Sequence, residues 1–399
     1  MDQGPLDVPP LPSAPPTHTF RPELIVIGGS VRFLAASCRR AGWSIHAVDR
    51  FGDADLLAIA SSYQRLPPCL AEAASVLAPL PQIPLLFTGG LENAPDLLRS
   101  LARTTLAASA SGDVVEAVRD VTNLARAAAA AGLAFPETHL SPAGLPTDGS
   151  FLIKPLASVG GHAIRPWRGV GCPDTPSLWQ RRVHGTPHGV NVLLSSTQPP
   201  VLLGVSRGLK HREATAAPGW AYAGSVSVPA AAWTTPVLTL AALLADRDGL
   251  RGAVGIDCIL ERSGTAVVLE VNPRPTASME LVERTRGVCI AAEHLAAFGI
   301  RSPRGACVPA APRPGASGKA ILYAHEPIEV STQTHSQLAA IAAHWHHHDA
   351  YPAIADLPQP GSRIDTGHPV LTLFADGSTS EDVDDLLAAR LAHLRRLLC

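Results

Sequence analysis

One stretch of the chain, residues 255–274, constrains the fold more than any other. Two apolar segments with alternating polarity flank a polar break at residues 261–265. This pattern is typical of a β-hairpin, and Ser263-Gly264 fits a two-residue turn. Such a turn pairs Arg262 with Thr265. The sequence therefore predicts two antiparallel strands in a defined register.

That register places two carboxylates, Asp257 and Glu270, directly opposite each other. Side chains alternate along a strand, so Asn272 shares the face of Glu270, and cross-strand Cβ atoms lie about 5 Å apart. Two like charges at this distance are unfavourable unless a cation lies between them. Three oxygen ligands suit magnesium better than zinc, which prefers nitrogen and sulfur. The alternative is a surface hairpin with its acids in water, but the following Arg274 favours the metal site.

Length and charge limit the class of protein. A chain of 399 residues suggests two or three domains at about 150 residues each. Its net charge of -2 gives no general attraction to nucleic acid or anionic membranes. The seven cysteines are widely spaced, without a Cys-x-x-Cys pair, as in a reduced protein. No stretch is apolar for the roughly 18 residues of a membrane span. We therefore expect a soluble cytoplasmic protein.

The N-terminal part has the pattern of an α/β domain. Residues 1–19 are rich in proline and predict a disordered tail. Apolar runs at 24–27, 44–48 and 85–87 predict strands, and a helical stretch follows the first of them. Alternating strands and helices predict an open parallel sheet for a domain of residues 20–105.

Two further units follow. A long amphipathic helix is expected over residues 112–132, and short strands with glycine-rich turns continue to about residue 310. Residues 106–310 are assigned to a middle domain of two α+β subdomains. Residues 311–399 are assigned to a C-terminal, β-rich α+β unit with strands at 320–323 and 370–374 and a final helix over 380–398.

Two glycine-rich segments could hold phosphate. Gly28-Gly29-Ser30 after the first strand, with Asp49 further on, imitates a dinucleotide fingerprint but lacks the Gly-x-Gly-x-x-Gly spacing. It fits a loop at the switch point of the sheet better. Lys154, at the end of a strand, precedes Gly160-Gly161, which could offer a charge and free backbone N–H groups to phosphate. A flexible turn is the plainer alternative.

Other segments point less clearly to chemistry. Residues 179–185 resemble a strand whose backbone could meet a purine edge. The run His344-Trp345-His346-His347-His348-Asp349 lacks metal-site spacing and is interpreted as a solvated surface run. No Gly-x-Ser-x-Gly elbow occurs, which disfavours hydrolase chemistry.

Together these motifs resemble the ATP-grasp superfamily, and within it the predicted ATP-dependent carboligases related to biotin carboxylase. The resemblance spans about residues 20–399, and residues 270–275, Glu-Val-Asn-Pro-Arg-Pro, are its most specific part. It implies an ATP-grasp fold, an α/β and α+β architecture that clamps ATP behind an N-terminal α/β domain. It also implies a ligase that joins a carboxylic acid to an amine through an acyl phosphate.

The resemblance further implies roles for single residues. Lys154 and Arg119 would contact the nucleotide phosphates, under the loop at Gly160 and Gly161. Three residues would line the adenine and ribose, namely Gln180, Val183 and His188. Asp257, Glu270 and Asn272 would hold one or two Mg²⁺ ions, with Mn²⁺ as a substitute. Arg274 would steady the transferred phosphoryl group. Arg181 departs from the family, which often has an acid at that position.

The resemblance leaves the substrates open. It implies small-molecule acid and amine substrates, no nucleic acid or membrane partner and a homodimer as one arrangement. Relatives of this branch resemble enzymes that make one-carbon cofactors decorated with glutamate. One expectation is therefore that this protein acts in the biosynthesis of such a cofactor. The alternatives are a regulatory or scaffold protein that holds ATP without turnover and, less favoured, a nicotinamide oxidoreductase.

Overall fold

The computed structural model describes residues 22–77, 82–103, 106–171, 173–303, 315–345 and 351–398. The expected tail of residues 1–19 and the predicted boundaries at 105 and 310 lie outside these ranges. Most of the His344–Asp349 run lies outside them as well.

The N-terminal region forms a five-stranded parallel sheet in the order β3-β2-β1-β4-β5. Apolar residues of β1 alternate between two cores, one on each face of the sheet. The order reverses direction between β1 and β4, which defines a switch-point crevice at the carboxyl ends of these strands. The predicted open parallel sheet is confirmed. Strands β1–β5 are Glu23–Gly28, Ser44–Asp49, Ser62–Arg65, Pro84–Phe87 and Leu106–Ala107. Helices α1–α4 are Arg32–Arg40, Ala54–Leu57, Ala73–Leu77 and Pro95–Leu101.

The single helix expected over residues 112–132 is wrong, because the structure has two helices there. Helix α5 covers Gly112–Arg119 and α6 covers Val121–Ala130. Asp120 separates them with an extended backbone (φ -62°, ψ 116°), and its carboxylate accepts a hydrogen bond from Asn123 N at 2.7 Å. An aspartate in this position caps the second helix, which stabilises the break.

A small antiparallel sheet follows in the order β6-β9-β7-β8. Its strands are Thr138–His139 (β6), Phe151–Pro155 (β7), Arg165–Pro166 (β8) and Ser177–Arg181 (β9). One face is a compact core in which Phe151 and Ile153 meet two tryptophans. By alternation, Lys154 and Gln180 lie on the opposite face.

The largest sheet has eight strands in the order β14-β13-β10-β11-β12-β15-β19-β17. These strands are Thr186–Leu194 (β10), Val201–Gly208 (β11), Gly224–Val228 (β12), Gly252–Leu260 (β13), Ala266–Asn272 (β14), Ala316–Tyr323 (β15), Ile354–Ala355 (β17) and Pro369–Gly377 (β19). The pairing of β12 with β15 joins the middle region to the C-terminal region in one sheet. A separate pair is formed by Ile328–Glu329 (β16) and Arg363–Ile364 (β18).

Helices cover both faces of this sheet. On one face, α7 and the α5–α6 pair pack on β10 and β13, and α11 packs on β15 and β19. On the other face, α8 and α9 pack near one end and leave the acidic hairpin residues uncovered. Helices α7–α11 are Thr234–Asp248, Met279–Arg286, Ile290–Ala297, Thr332–Trp345 and Ser380–Leu398. Of the helices described, none has both the length and the apolar character that crossing a membrane requires.

Candidate active site

The hairpin of β13 and β14 carries the predicted pair of acids, although its turn differs from the predicted one. Leu260 faces Ala266, so the two-residue Ser263-Gly264 turn is wrong. A three-residue loop ends instead at Gly264, whose φ of 85° suits the bulge that follows such loops. A second irregularity beside Asp257, where Leu269 is the extra residue, shifts the register back. Asp257 therefore stands opposite Glu270.

The two carboxylates and Asn272 lie on one face of the hairpin. The Asn272 amide nitrogen donates to Asp257 Oδ2 at 3.0 Å, and its oxygen accepts from Arg274 Nη2 at 3.1 Å. Asp257 and Asn272 are half-buried, whereas Glu270 is exposed. Burial and the nearby Glu270 charge raise the pKa of Asp257 to about 7. This carboxyl is thus held in a site that penalises its negative charge unless a cation joins it.

Arg274 is fixed by a residue that the sequence analysis missed. Its Nε and Nη2 atoms donate to the same oxygen of Glu92, at 2.9 and 2.7 Å. The other Glu92 oxygen accepts from Gly90 N at 2.7 Å. Burial acts to raise the pKa of Glu92, but Arg274 lowers it further, so the net pKa lies below its usual value. Glu92 therefore remains ionised and holds the guanidinium in place.

Gln180 connects residues of the small sheet that are predicted to bind the nucleotide. Its oxygen accepts from Lys154 Nζ at 3.1 Å, and its nitrogen donates to Thr138 Oγ1 at 3.1 Å. Gln180 is buried and Lys154 half-buried. Val183 is half-buried just beyond β9, where the chain passes to the large sheet. Lys154 is thus oriented by one neutral partner, which leaves its charge uncompensated by an acid in these contacts.

The loop at Gly160 and Gly161 touches the segment between β11 and β12. Gly160 O accepts from Tyr222 N at 2.8 Å. Both glycines have positive φ, and a Cβ on Gly161 would lie 2.3 Å from Trp220 O. Only glycine fits this close approach. The loop therefore spans from the small sheet to the large sheet.

Arg119 lies at the end of α5 and is already engaged. Its guanidinium donates to Glu92 O, to Asn93 Oδ1 at 3.0 Å and to Leu156 O at 3.2 Å. These contacts join the N-terminal region to the loop after Lys154. Its predicted phosphate contact stays a prediction.

His188 is not brought to the acidic face. Gly189 is the residue of β10 that faces Asp257, so His188 points to the opposite side of the sheet. Its ring lies 5.2 Å from the Trp233 ring, edge to face. The predicted ribose contact of His188 stays a prediction.

The switch-point crevice of the N-terminal sheet opens next to Arg274. Gly29 N donates to Gly89 O at 2.7 Å, which joins the loops after β1 and β4. A Cβ on Gly89 would lie 3.2 Å from Arg274 Nη2. The loop at Gly28-Gly29-Ser30 therefore lies near the guanidinium, as a loop at the switch point should.

The donor set fits a hard divalent cation rather than zinc. Among the described residues, no group of three or more His, Cys, Asp or Glu side chains is arranged to hold a metal. The candidate site instead offers the carboxylates of Asp257 and Glu270 and the amide oxygen of Asn272. Hard cations bind such oxygens. The amide of Asn272 would have to turn, because its oxygen now faces Arg274.

Comparisons with known proteins agree with this geometry. Residues 118–278 match the ATP-grasp domain family. No curated protein matches the chain. The structure is similar to the biotin carboxylase domain of Hydrogenobacter thermophilus 2-oxoglutarate carboxylase, solved with MgADP, ADP and bicarbonate. The two share 13% identity over 93% of this chain and 89% of that chain, with a TM-score of 0.65.

A synthase and a ligase also have similar structures. Carboxyaminoimidazole ribonucleotide synthase from Aspergillus clavatus, solved with ATP, shares 14% identity over 95% of this chain and 99% of that chain, with a TM-score of 0.65. The L-amino acid ligase from Bacillus licheniformis shares 14% identity over 94% and 98%, with a TM-score of 0.64. At these identities the likeness establishes the fold.

Residues 118–278 thus carry an ATP-grasp domain, and the chain has the ATP-grasp fold, as the sequence predicted. Its architecture combines the N-terminal parallel sheet with a four-stranded and an eight-stranded antiparallel sheet.

Proposed function

We propose that this protein is an ATP- and Mg²⁺-dependent ligase that joins a carboxylic acid to an amine through an acyl phosphate. The acid and amine are small molecules, and biosynthesis of a one-carbon cofactor is the proposed setting. The L-amino acid ligase and the carboxyaminoimidazole ribonucleotide synthase support this class because they have the same fold.

One observation carries the proposal. Asp257 and Glu270 lie opposite each other beside Asn272, and Arg274 follows within the same constellation. Burial and Glu270 raise the pKa of Asp257, and a cation bound between the two carboxylates would offset both effects. An ordinary surface hairpin would leave both acids in water.

These residues would hold the magnesium. When bound, Mg²⁺ neutralises phosphate oxygens and lowers the barrier to phosphoryl transfer. Asp257 and Glu270 would bind it through carboxylate oxygens, and Asn272 through its amide oxygen after the amide turns. Mn²⁺ would fit the same oxygen donors.

The remaining site residues would bind and orient ATP. Lys154, held by Gln180, would place a positive charge on the ATP phosphates, and the loop at Gly160 would close over them. Arg274 would stabilise charge on the transferring group, since Glu92 fixes the direction of its guanidinium. Phosphoryl transfer depends mainly on such positioning and charge, so no activated nucleophile is required.

Phosphate release from ATP tests the proposal. The protein is incubated with Mg²⁺ and ATP, and pools of acids and amines are added separately and together. Release that requires one acid and one amine supports the ligase. Tight ATP binding without release under any combination would refute it in favour of a nucleotide-holding scaffold.

A further inference from the structure

The carboxylate of Asp53 has no partner among the residues that the structure describes. Only 9% of the residue is exposed. It precedes α2, yet its side chain does not cap that helix. No hydrogen bond or ion pair reaches it from the described part of the chain. A carboxylate in so buried a residue is normally paired, whereas the Asp53 oxygens keep some contact with solvent, which leaves them open to a ligand.

The acids around Asp53 are all occupied. Asp49 accepts hydrogen bonds from Val31 N, Phe51 N and Gly52 N at 2.7 to 2.8 Å. Asp55 accepts from the backbone N–H groups of Asp356 and Leu357, each at 2.9 Å. The carboxylates of Asp49 and Asp55 are thus hydrogen-bonded, whereas that of Asp53 is not bonded to any described residue.

Arg32, the base whose charge acts on Asp53, is already paired with other acids. Arg32 donates to both oxygens of Glu280, and its Nε donates to Asp356 Oδ1 at 2.9 Å. Lys319 Nζ donates to Glu280 Oε2 at 3.0 Å. Arg32 thus pairs with Glu280, Asp356 and, at 3.7 Å, Asp55, whereas Lys319 pairs with Glu280. The cluster retains more acids than bases around Asp53.

The position of Asp53 relates it to the candidate active site. It follows β2 at the carboxyl edge of the parallel sheet, where β1 and β4 also end. Arg274 reaches the loop after β4 at Gly89. Strands β2 and β4 flank β1, so two strand spacings, roughly 10 Å, separate their ends. Asp53 and the loop that meets Arg274 therefore follow strands that end on the same edge of the sheet.

We propose that Asp53 anchors a cationic nitrogen group of the amine acceptor, an ammonium or amidinium distinct from the nitrogen that is joined. This proposal rests on the proposed ligase function and specifies its acceptor class. The acceptor carries a second basic nitrogen that pairs with Asp53, while the uncharged amine lies toward Arg274.

The charges around Asp53 agree with this role. Burial, together with the charges of Asp356, Asp49 and Asp55, raises the pKa of Asp53 to about 9, and Arg32 opposes that rise only in part. Tyr63, on β3, is the remaining titratable group that faces it. Asp53 therefore holds a proton at neutral pH in the absence of a ligand, and a bound cation would displace it.

Calorimetry with 1,4-diaminobutane and butylamine tests the proposal on the full-length protein. The variants are Asp53→Asn and, as a matched control on an exposed acid of α7, Asp246→Asn. Wild type and the control should bind the diamine at least tenfold more tightly than butylamine, with proton release seen as a dependence on buffer ionisation enthalpy. Asp53→Asn should lose that preference and the proton release.

MgATP binding, measured on the same samples, separates the two proposals. If MgATP binds but wild type and Asp53→Asn treat the diamine alike, the cation site is refuted and the ligase proposal stands. If MgATP fails to bind, the ligase proposal fails and so does an acceptor role for Asp53. The infrared band of a protonated carboxyl that is present in wild type, absent in Asp53→Asn and lost on adding diamine provides a second readout. Its persistence would also refute the cation site.

Discussion

The contact between Glu92 and Arg274 allows the sharpest test of how the site is built. It joins the N-terminal region to the hairpin strand across 182 positions of sequence. The side chains are 5% and 12% exposed, so water screens the pair weakly. Glu92→Gln keeps the shape but removes the charge. A charge-assisted hydrogen bond contributes about 1.5 to 3 kcal/mol, and Gln keeps one acceptor, so we expect a loss of about 2 kcal/mol.

A double-mutant cycle isolates this contribution. The free energy of unfolding in urea is measured for wild type, Glu92→Gln, Arg274→Gln and the double variant. We expect a coupling energy above about 1 kcal/mol. Arg363 and Asp365 form the control pair, at 3.3 Å with side chains 66% and 65% exposed. Their coupling should stay within about 0 to 1 kcal/mol.

The pH dependence gives a second check with a defined sign. The folded pKa of Glu92 lies below its usual value of 4.5. Its contribution is therefore complete above pH 4.5 and disappears as pH falls through the lower folded value. The difference between wild type and Glu92→Gln should shrink in that acidic window. A coupling no larger than that of the control pair, or a difference independent of pH, would refute the reasoning.

The remaining predictions concern the proposed ligand contacts. Glu270→Gln or Asn272→Ala should abolish turnover with an unchanged circular dichroism spectrum, and near-normal activity at ordinary Mg²⁺ would contradict the metal assignment. Lys154→Ala should weaken ATP binding more than tenfold, the equivalent of at least about 1.4 kcal/mol, and an unchanged Kd would remove Lys154 from the site. The folded pKa of Asp257 is about 7, up from 3.8, so without metal the folded state loses stability as pH rises between these values. Mg²⁺ should therefore raise Tm more at about pH 8 than at about pH 6, and an equal rise would exclude Asp257 as a ligand.

Local patterns predicted most of the regular elements. The strands at Glu23–Gly28 and Ser44–Asp49 and the C-terminal helix Ser380–Leu398 follow from apolar periodicity and flanking turn residues. The helix break at Asp120 was not predicted, because the apolar pattern continues through it. Only the capping side chain of Asp120 marks the break.

The candidate site was predicted where one local motif supplies it. Asp257 and Glu270 meet because two register irregularities offset each other, so the predicted pairing is present although the predicted turn is not. The face on which His188 lies depends on the register of β10 against β13, which the sequence of β10 alone does not give. Glu92 was missed because its partner Arg274 is remote in sequence and no local periodicity encodes such a contact.

The shared eight-stranded sheet has a consequence for dissecting the protein. The region that matches the ATP-grasp family, residues 118–278, stops before β15, which pairs with β12 inside it. A fragment cut at residue 278 would expose the backbone groups of β12 along a new edge, which invites pairing with other copies. It would also lack Arg32, Glu280 and Lys319, whose contacts tie the N-terminal and C-terminal regions to α8. Expression of the matched region alone should therefore give aggregates, and biochemical work on this protein requires the chain through α11.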